Sequence, residues 1–200
     1  MGQSWGGALA TLYAADNLNK VDKIILTCSG AVKPVVDSVE KIKAPDSLHL
    51  KDPMEVNRDV IAFVLKPRYI AIRFWAFFGK KIASDEEADS YINKMAMGFT
   101  KGPVYDPSKI LPEEGGGGGY CNIKTPTSYS KFADPRPILK NNNIPVLIIK
   151  GQYDNIPWGN TNEYIDIFKT SQLKIIEKAG HDVYSEKPDE YLLAMKLFLK

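Results

Sequence analysis

Apolar positions along this chain fall into two periods. Short β-branched runs, Val21 to Ser29 (VDKIILTCS), Ile144 to Lys150 (IPVLIIK) and Leu173 to Glu177 (LKIIE), read as strands. The first two are apolar enough to be buried on both faces, as strands of a parallel sheet are. Ala8 to Ala15 is rich in helix formers and small residues, as a helix packed on a sheet would be. Trp158 to Lys169 predicts an amphipathic helix with Tyr164, Ile165 and Phe168 as its stripe. Pro188 opens a last helix to Phe198, with Leu192, Met195, Leu197 and Leu199 available for packing. From about Ala31 to Asp134 the strand–helix alternation stops. Pro53 to Lys66 and Arg68 to Lys80 read as helices there. A capping box at Ser84, with Glu87 reaching back to it, starts a third helix through Phe99. The pattern predicts an α/β fold: a mostly parallel sheet of about three strands, flanked by helices and interrupted by a helical cap. Residues 1–30 and 135–200 form the core on this reading, and 31–134 the cap.

Composition narrows the picture. With 200 residues, 44% hydrophobic and 25% charged, the chain is ordinary for one globular domain and unlike collagenous, disordered or disulfide-scaffold classes. Its 26 basic and 24 acidic residues leave a net +2, which gives no reason to expect nucleic acid or an anionic membrane as partner. No apolar run approaches the roughly 18 residues of a membrane helix. Two cysteines make no disulfide framework, and no signal peptide precedes the first motif, so the expected compartment is the cytoplasm.

Candidate chemistry sits at the two ends. Gly2-Gln3-Ser4-Trp5-Gly6, followed by Gly7, matches G-x-S-x-G. That spacing suits a strained strand-to-helix turn that pushes a serine hydroxyl away from the backbone, with glycines where side chains would collide. The Trp5 N–H, at the start of the helix, would donate to an oxyanion. The strand ending at Lys150 runs into Gly151-Gln152-Tyr153-Asp154, and the strand ending at Glu177 runs into Ala179-Gly180-His181. Side chains just past parallel strand ends lie where such sheets build sites. The chain order is therefore Ser4, Asp154, His181. His181 would take the Ser4 proton, and Asp154 would fix the imidazole tautomer and stabilise the imidazolium. The chain's other histidine, His49, follows no strand end, and Asp182 is too close in sequence to orient the neighbouring imidazole easily. Cys28 reads as inert core, and Cys28, His49, Cys121 and His181 have no zinc-ligand spacing.

The three motifs, Gly2-Gln3-Ser4-Trp5-Gly6-Gly7, Gly151-Gln152-Tyr153-Asp154 and Gly180-His181, resemble the α/β-hydrolase fold. The tryptophan after the serine and the Gly-x-Tyr-Asp turn are similar to the proline iminopeptidase-like serine hydrolases. The resemblance implies catalytic Ser4, Asp154 and His181, no metal or organic cofactor, and release of an N-terminal residue, often proline, from short peptides. The same pattern includes carboxylesterases on hydrophobic acyl esters. A truncated, inactive or ligand-binding remnant is a further alternative. Epoxide hydrolase and dehalogenase chemistry wants an aspartate where Ser4 stands.

In the middle segment, Phe74, Phe77 and Phe78 share one helix face beside Trp75. They read as packing inside the cap or as an apolar roof over the substrate. Glu113 and Glu114 precede five glycines, Gly115 to Gly119, a flexible loop at which a glutamate would pair with the free amine of a peptide. Glu86 and Glu87 are equal candidates for that role. The resemblance also implies an N-terminal half of about five strands and a second oxyanion donor, which these residues do not hold. Only Met1 precedes Gly2, so the chain reads as the C-terminal part of a longer enzyme, completed by upstream sequence or by a complementing N-terminal chain. A sheet cut at the elbow leaves a long apolar edge. The chain alone is therefore expected to aggregate or turn over poorly, and a soluble monomer with full peptidase turnover would contradict this.

Overall fold

The computed structural model describes residues 1–33, 41–53, 58–109 and 117–200. Its sheet has four parallel strands in the order β1 (Gly2–Gln3), β2 (Ile24–Thr27), β3 (Val146–Gly151) and β4 (Ser171–Ile176). All residues of β2 and β3 are buried, as their unbroken apolar runs require. The register sets Gly2 against Leu26, Ile24 against Val146 and Val146 against Ser171. All four strands therefore deliver their carboxyl ends to one edge.

Strand periodicity divides the core in two. On one face Ile24, Leu26, Val146 and Ile148 pack on Ala14 and Ala15 of α1 (Trp5–Asp16) and on Tyr164 and Ile167 of α7 (Trp158–Ile167). On the other face Ile25, Leu147, Ile149 and Ile176 pack on Val183 of α8 (Val183–Glu186) and Tyr191 of α9 (Pro188–Leu199). Between β2 and β3 the described helices are α2 (Arg58–Val64), α3 (Pro67–Phe77), α4 (Asp85–Lys101), α5 (Gly119–Ser130) and the short α6 (Arg136–Leu139). Ile72, Ala76, Ala88 and Tyr120 from α3, α4 and α5 form an apolar cluster of their own.

Several expectations need correction. The sheet has four strands, not three, because Gly2 and Gln3 pair with β2. β2 starts at Ile24 rather than Val21, because Leu18 to Lys20 spend a turn of 3-10 helix after α1. On α9 the buried side is Tyr191 with Ala194, Met195 and Phe198, while Leu192, Leu197 and Leu199 face outward. Ser84 does cap α4 by accepting the Glu87 N–H at 3.2 Å. The Glu87 carboxylate, however, grips Arg68 in a two-pronged pair at 2.7 and 2.8 Å instead of reaching back. Phe74, Phe77 and Phe78 are exposed rather than packed inside the middle segment; Tyr69, Ile72 and Ala76 take that place.

Helix α5 was unforeseen, because a glycine run and Pro126 both argue against a helix. It forms by close approach. A Cβ on Gly119 would lie 2.4 Å from the Ala88 backbone, the Gly119 N–H donates to Asp89 at 2.6 Å, and the Tyr120 hydroxyl donates to the Ala83 carbonyl. The sheet edge at β1 is two residues long rather than the long edge expected. Exposed Met1, Leu9, Tyr13 and Leu199 line a groove that also holds Lys20, Asp22, Lys23 and Ile24, at the start of β2.

Leu26 is fully buried in the centre of the sheet. Leu26→Ala is expected to cost about 3 kcal/mol, read as a lower urea midpoint with an unchanged denaturant slope.

Candidate active site

Ser4 stands between β1 and α1 with φ 52° and ψ −122°, a conformation that costs a non-glycine residue about 1–3 kcal/mol. The strain persists because the turn is held from several sides. The Ser4 N–H donates to the Thr27 carbonyl at 3.0 Å, and the Ser4 carbonyl accepts the N–H groups of Gly7 and Gly30, both at 3.1 Å. Glycine is required at Gly2, where a Cβ would lie 2.0 Å from the Gly6 carbonyl oxygen. It is required again at Gly7, where a Cβ would meet Ser29 Oγ at 1.9 Å. Gly6 itself faces open space, so the steric demand on the helix side falls one residue later than the motif suggests. The Trp5 N–H is the first of α1 and has no acceptor within the helix. The Trp5 ring meets Tyr129 of α5 edge-on at 4.5 Å, which docks the middle segment against the elbow.

Asp154 is fully buried past the end of β3. Its Oδ1 lies 2.7 Å from His181 Nδ1 and accepts the N–H groups of Asn155 at 2.8 Å and Ile156 at 3.2 Å. Its Oδ2 accepts from Lys150 Nζ at 2.6 Å. Burial alone would raise the Asp154 carboxyl, but the Lys150 charge and the His181 contact overcome it and hold the group at about 2. His181 follows β4, and its side chain remains partly exposed. Its N–H donates to the Pro103 carbonyl at 2.8 Å, and its carbonyl accepts from Gln3 Nε2 at 3.1 Å. The elbow and the histidine loop are thus joined through the residue preceding Ser4. The Gly180 N–H donates to the buried Glu186 carboxylate at 2.6 Å, and the other Glu186 oxygen accepts the Asp106 N–H at 2.7 Å.

The other candidates lie elsewhere. Asp182 Oδ2 accepts from Ser185 in the first turn of α8. The His49 ring packs on Tyr153 at 5.4 Å, and the His49 N–H donates to the Gln152 carbonyl, so its segment runs along the acid turn. Trp75 is 39% exposed, with its ring against Phe74 and under Lys80. Glu113 and Glu114 lie outside the described residues. Sequence reasoning missed Lys150, Gln3 and Glu186. A lysine closing an apolar strand four residues before the acid was the available signal for Lys150; Gln3 and Glu186 had none.

Cys28, Asp154 and His181 place potential ligand atoms within 4.8 Å of one another. Both Asp154 oxygens are already engaged, and burial drives the Cys28 thiol well above its ordinary range. The Cys28 sulfur instead accepts the Gly151 N–H at 3.4 Å. The ligand atoms of this cluster are thus engaged in hydrogen bonds.

Because the folded-state carboxyl of Asp154 lies below its ordinary value of 3.8, its contribution is present above pH 4 and fades as pH falls through 2. The stability gap between wild type and Asp154→Asn, measured by urea unfolding, is expected to shrink by about 1–2 kcal/mol from pH 6 to pH 2.5.

Solved structures share this arrangement of strands and helices. An alpha/beta fold family hydrolase from Bacillus anthracis str. Sterne is 22% identical, with a TM-score of 0.63 over 98% of this chain and 65% of that one. An esterase from Exiguobacterium antarcticum is 16% identical, with a TM-score of 0.60 over 100% of this chain and 65% of that one. The epoxide hydrolase CorEH is 15% identical, with a TM-score of 0.60 over 99% and 66% respectively. At these identities the likeness is one of fold. The chain spans about two thirds of the length of these structures. No curated protein matches it. The family model of the alpha/beta hydrolase fold matches residues 1–188, and the chain belongs to that family.

Proposed function

We propose that the chain carries the catalytic residues of a serine hydrolase that works through an acyl-enzyme. The observation that carries this reading is the 2.7 Å contact between His181 Nδ1 and Asp154 Oδ1, at the sheet edge that also presents the strained Ser4 turn. With Nδ1 engaged by the carboxylate, the other ring nitrogen, Nε2, is left to accept the Ser4 proton. Ser4 Oγ attacks the carbonyl carbon, His181 takes its proton, and the Trp5 N–H donates to the oxyanion. His181 then returns the proton to the leaving group, and water attacks the acyl-enzyme with His181 again as base. Asp154 stays ionised throughout.

The substrate class rests on the motifs. Trp5 after the serine and the Gly151-Gln152-Tyr153-Asp154 turn support a proline iminopeptidase-like enzyme that releases N-terminal residues from short peptides. Glu113 or Glu114 would pair with the free amine, and the 31–134 segment would act as the cap. A second reading, a carboxylesterase for hydrophobic acyl groups, is favoured by the exposed face of Phe74, Phe77 and Phe78 beside Trp75. Among the described residues no helix is long and apolar enough to cross a membrane. The unpaired Cys28 and Cys121 support a cytoplasmic setting.

We also propose that further parallel strands pair with the outer edge of β1, from upstream sequence or from a complementing chain. The position of β1 as the outer strand, paired with β2 alone among the described residues, and the one third of the matched structures that this chain does not span support this. Those strands would bring the second oxyanion donor.

A fluorophosphonate probe is expected to label Ser4, as mapped by peptide mass spectrometry. His181→Ala should slow labelling by about 10⁴-fold or more. Labelling elsewhere, or labelling that survives His181→Ala, would overturn the mechanism. Faster turnover of a proline arylamide than of a nitrophenyl ester selects the peptidase reading, and the reverse selects the esterase.

A further inference from the structure

Lys150 is the most unusual group near the site. It is the penultimate residue of β3, with its side chain fully buried in a strand whose other side chains are apolar. A buried ammonium requires an anionic partner. Its hydrogen bonds are two, both of 2.6 Å: one to Asp154 Oδ2 and one to the Ile156 carbonyl. The second bond closes the acid turn over the lysine. The two Asp154 oxygens are thereby split, Oδ2 to Lys150 and Oδ1 to His181.

We infer that Lys150 is a positioning residue that fixes the Asp154 carboxylate with Oδ1 toward His181, its charge offsetting part of the field that carboxylate sets at the imidazole. The inference rests on the assignment of Asp154 and His181 as orienting acid and base. A lone carboxylate against an imidazole favours the imidazolium. A cation on the far oxygen of that carboxylate offsets part of this field. It also leaves the carboxylate one fixed rotamer, so that Oδ1 faces the imidazole without a search among conformers.

The charged and titratable surroundings are few. From the β2 end comes Cys28, whose thiol burial holds protonated. From the histidine loop and α8 come Asp182, bonded to Ser185, and Glu186, bonded to the Gly180 and Asp106 N–H groups. From the segments packed on the loop come Asp106, bonded to Ser108, Lys51, on the Gly102 and Val104 carbonyls, and the rings of His49 and Tyr105 on Tyr153. Of these, Lys150 is the cation that contacts the Asp154 carboxylate directly.

The test is the imidazole titration of His181 by NMR in wild type and in Lys150→Gln. The chain has two histidines, so His49→Gln assigns the signals. Lys150→Gln keeps a donor for Asp154 and removes the charge. The His181 midpoint is expected to rise by about one pH unit. An unchanged midpoint in a folded variant would overturn the inference and leave Lys150 a purely structural group. If Lys150→Gln does not fold, the ¹⁵N signal of Lys150 Nζ in wild type decides. An ammonium that persists from pH 5 to 9 and shifts as His181 titrates supports the inference; a neutral amine, or no response, refutes it. Neither titration needs turnover. An unlabelled Ser4 would therefore count against the proposed hydrolase without touching this result.

Discussion

A carboxylate that stays ionised without contact with water must be surrounded by donors, and the site is organised around meeting that demand at Asp154. Four donors converge on its two oxygens: the Lys150 ammonium, the His181 imidazole and the N–H groups of Asn155 and Ile156. They come from three parts of the fold. The strand brings Lys150, the turn after it brings the two N–H groups, and the next strand end brings His181. The histidine loop is then fixed by Pro103, Gln3 and Glu186, so the charge at Asp154 is tied by short steps to the elbow and to the middle segment. Loss of any one donor leaves a buried charge under-satisfied, which ties Asp154 and His181 to the groups around them.

The Ser4 turn solves a different problem. Ser4 occupies a backbone conformation that side chains avoid, and what keeps it there is close packing without side chains. Gly2 lies against the Gly6 carbonyl and Gly7 against Ser29, at distances no Cβ would tolerate. Hydrogen bonds from β2 and its exit loop complete the clamp. The strained turn runs directly into α1, so the close approach that sets the Ser4 backbone also sets where that helix begins.

What the sequence made legible follows the same division. β3 and the stripe of α7 could be read because burial on both faces of a sheet, and on one face of a helix, writes itself as unbroken or periodic apolar residues. Ser4, Asp154 and His181 could be placed at strand ends because the motifs follow the runs directly. Three things resisted. α5 is held by a glycine's close approach to Ala88 and by side-chain bonds to distant residues, neither of which leaves a local pattern. The Glu87 carboxylate chose Arg68, nineteen positions away, over a local cap, because a two-pronged charged pair outweighs a single backbone bond. Lys150 looked like the polar end of a strand, and only the fold turns it inward.

The two halves of the site also differ in what supports them. The Asp154–His181 pair is braced by β3, β4, the segment around Pro103 and α8. The elbow is braced by β2 on one side, and β1 is the outer strand of the sheet. A strand added to that edge would therefore act unevenly. It would restrict Gly2 and Gln3, and through them the Ser4 turn, while leaving the Asp154 donors as they are. Electrostatic stabilisation of an oxyanion depends on donors fixed before the reaction, so the elbow is where added order would matter most. Asp154 and His181 keep their contacts without it, and the Ser4 turn is the part whose support such a strand would change.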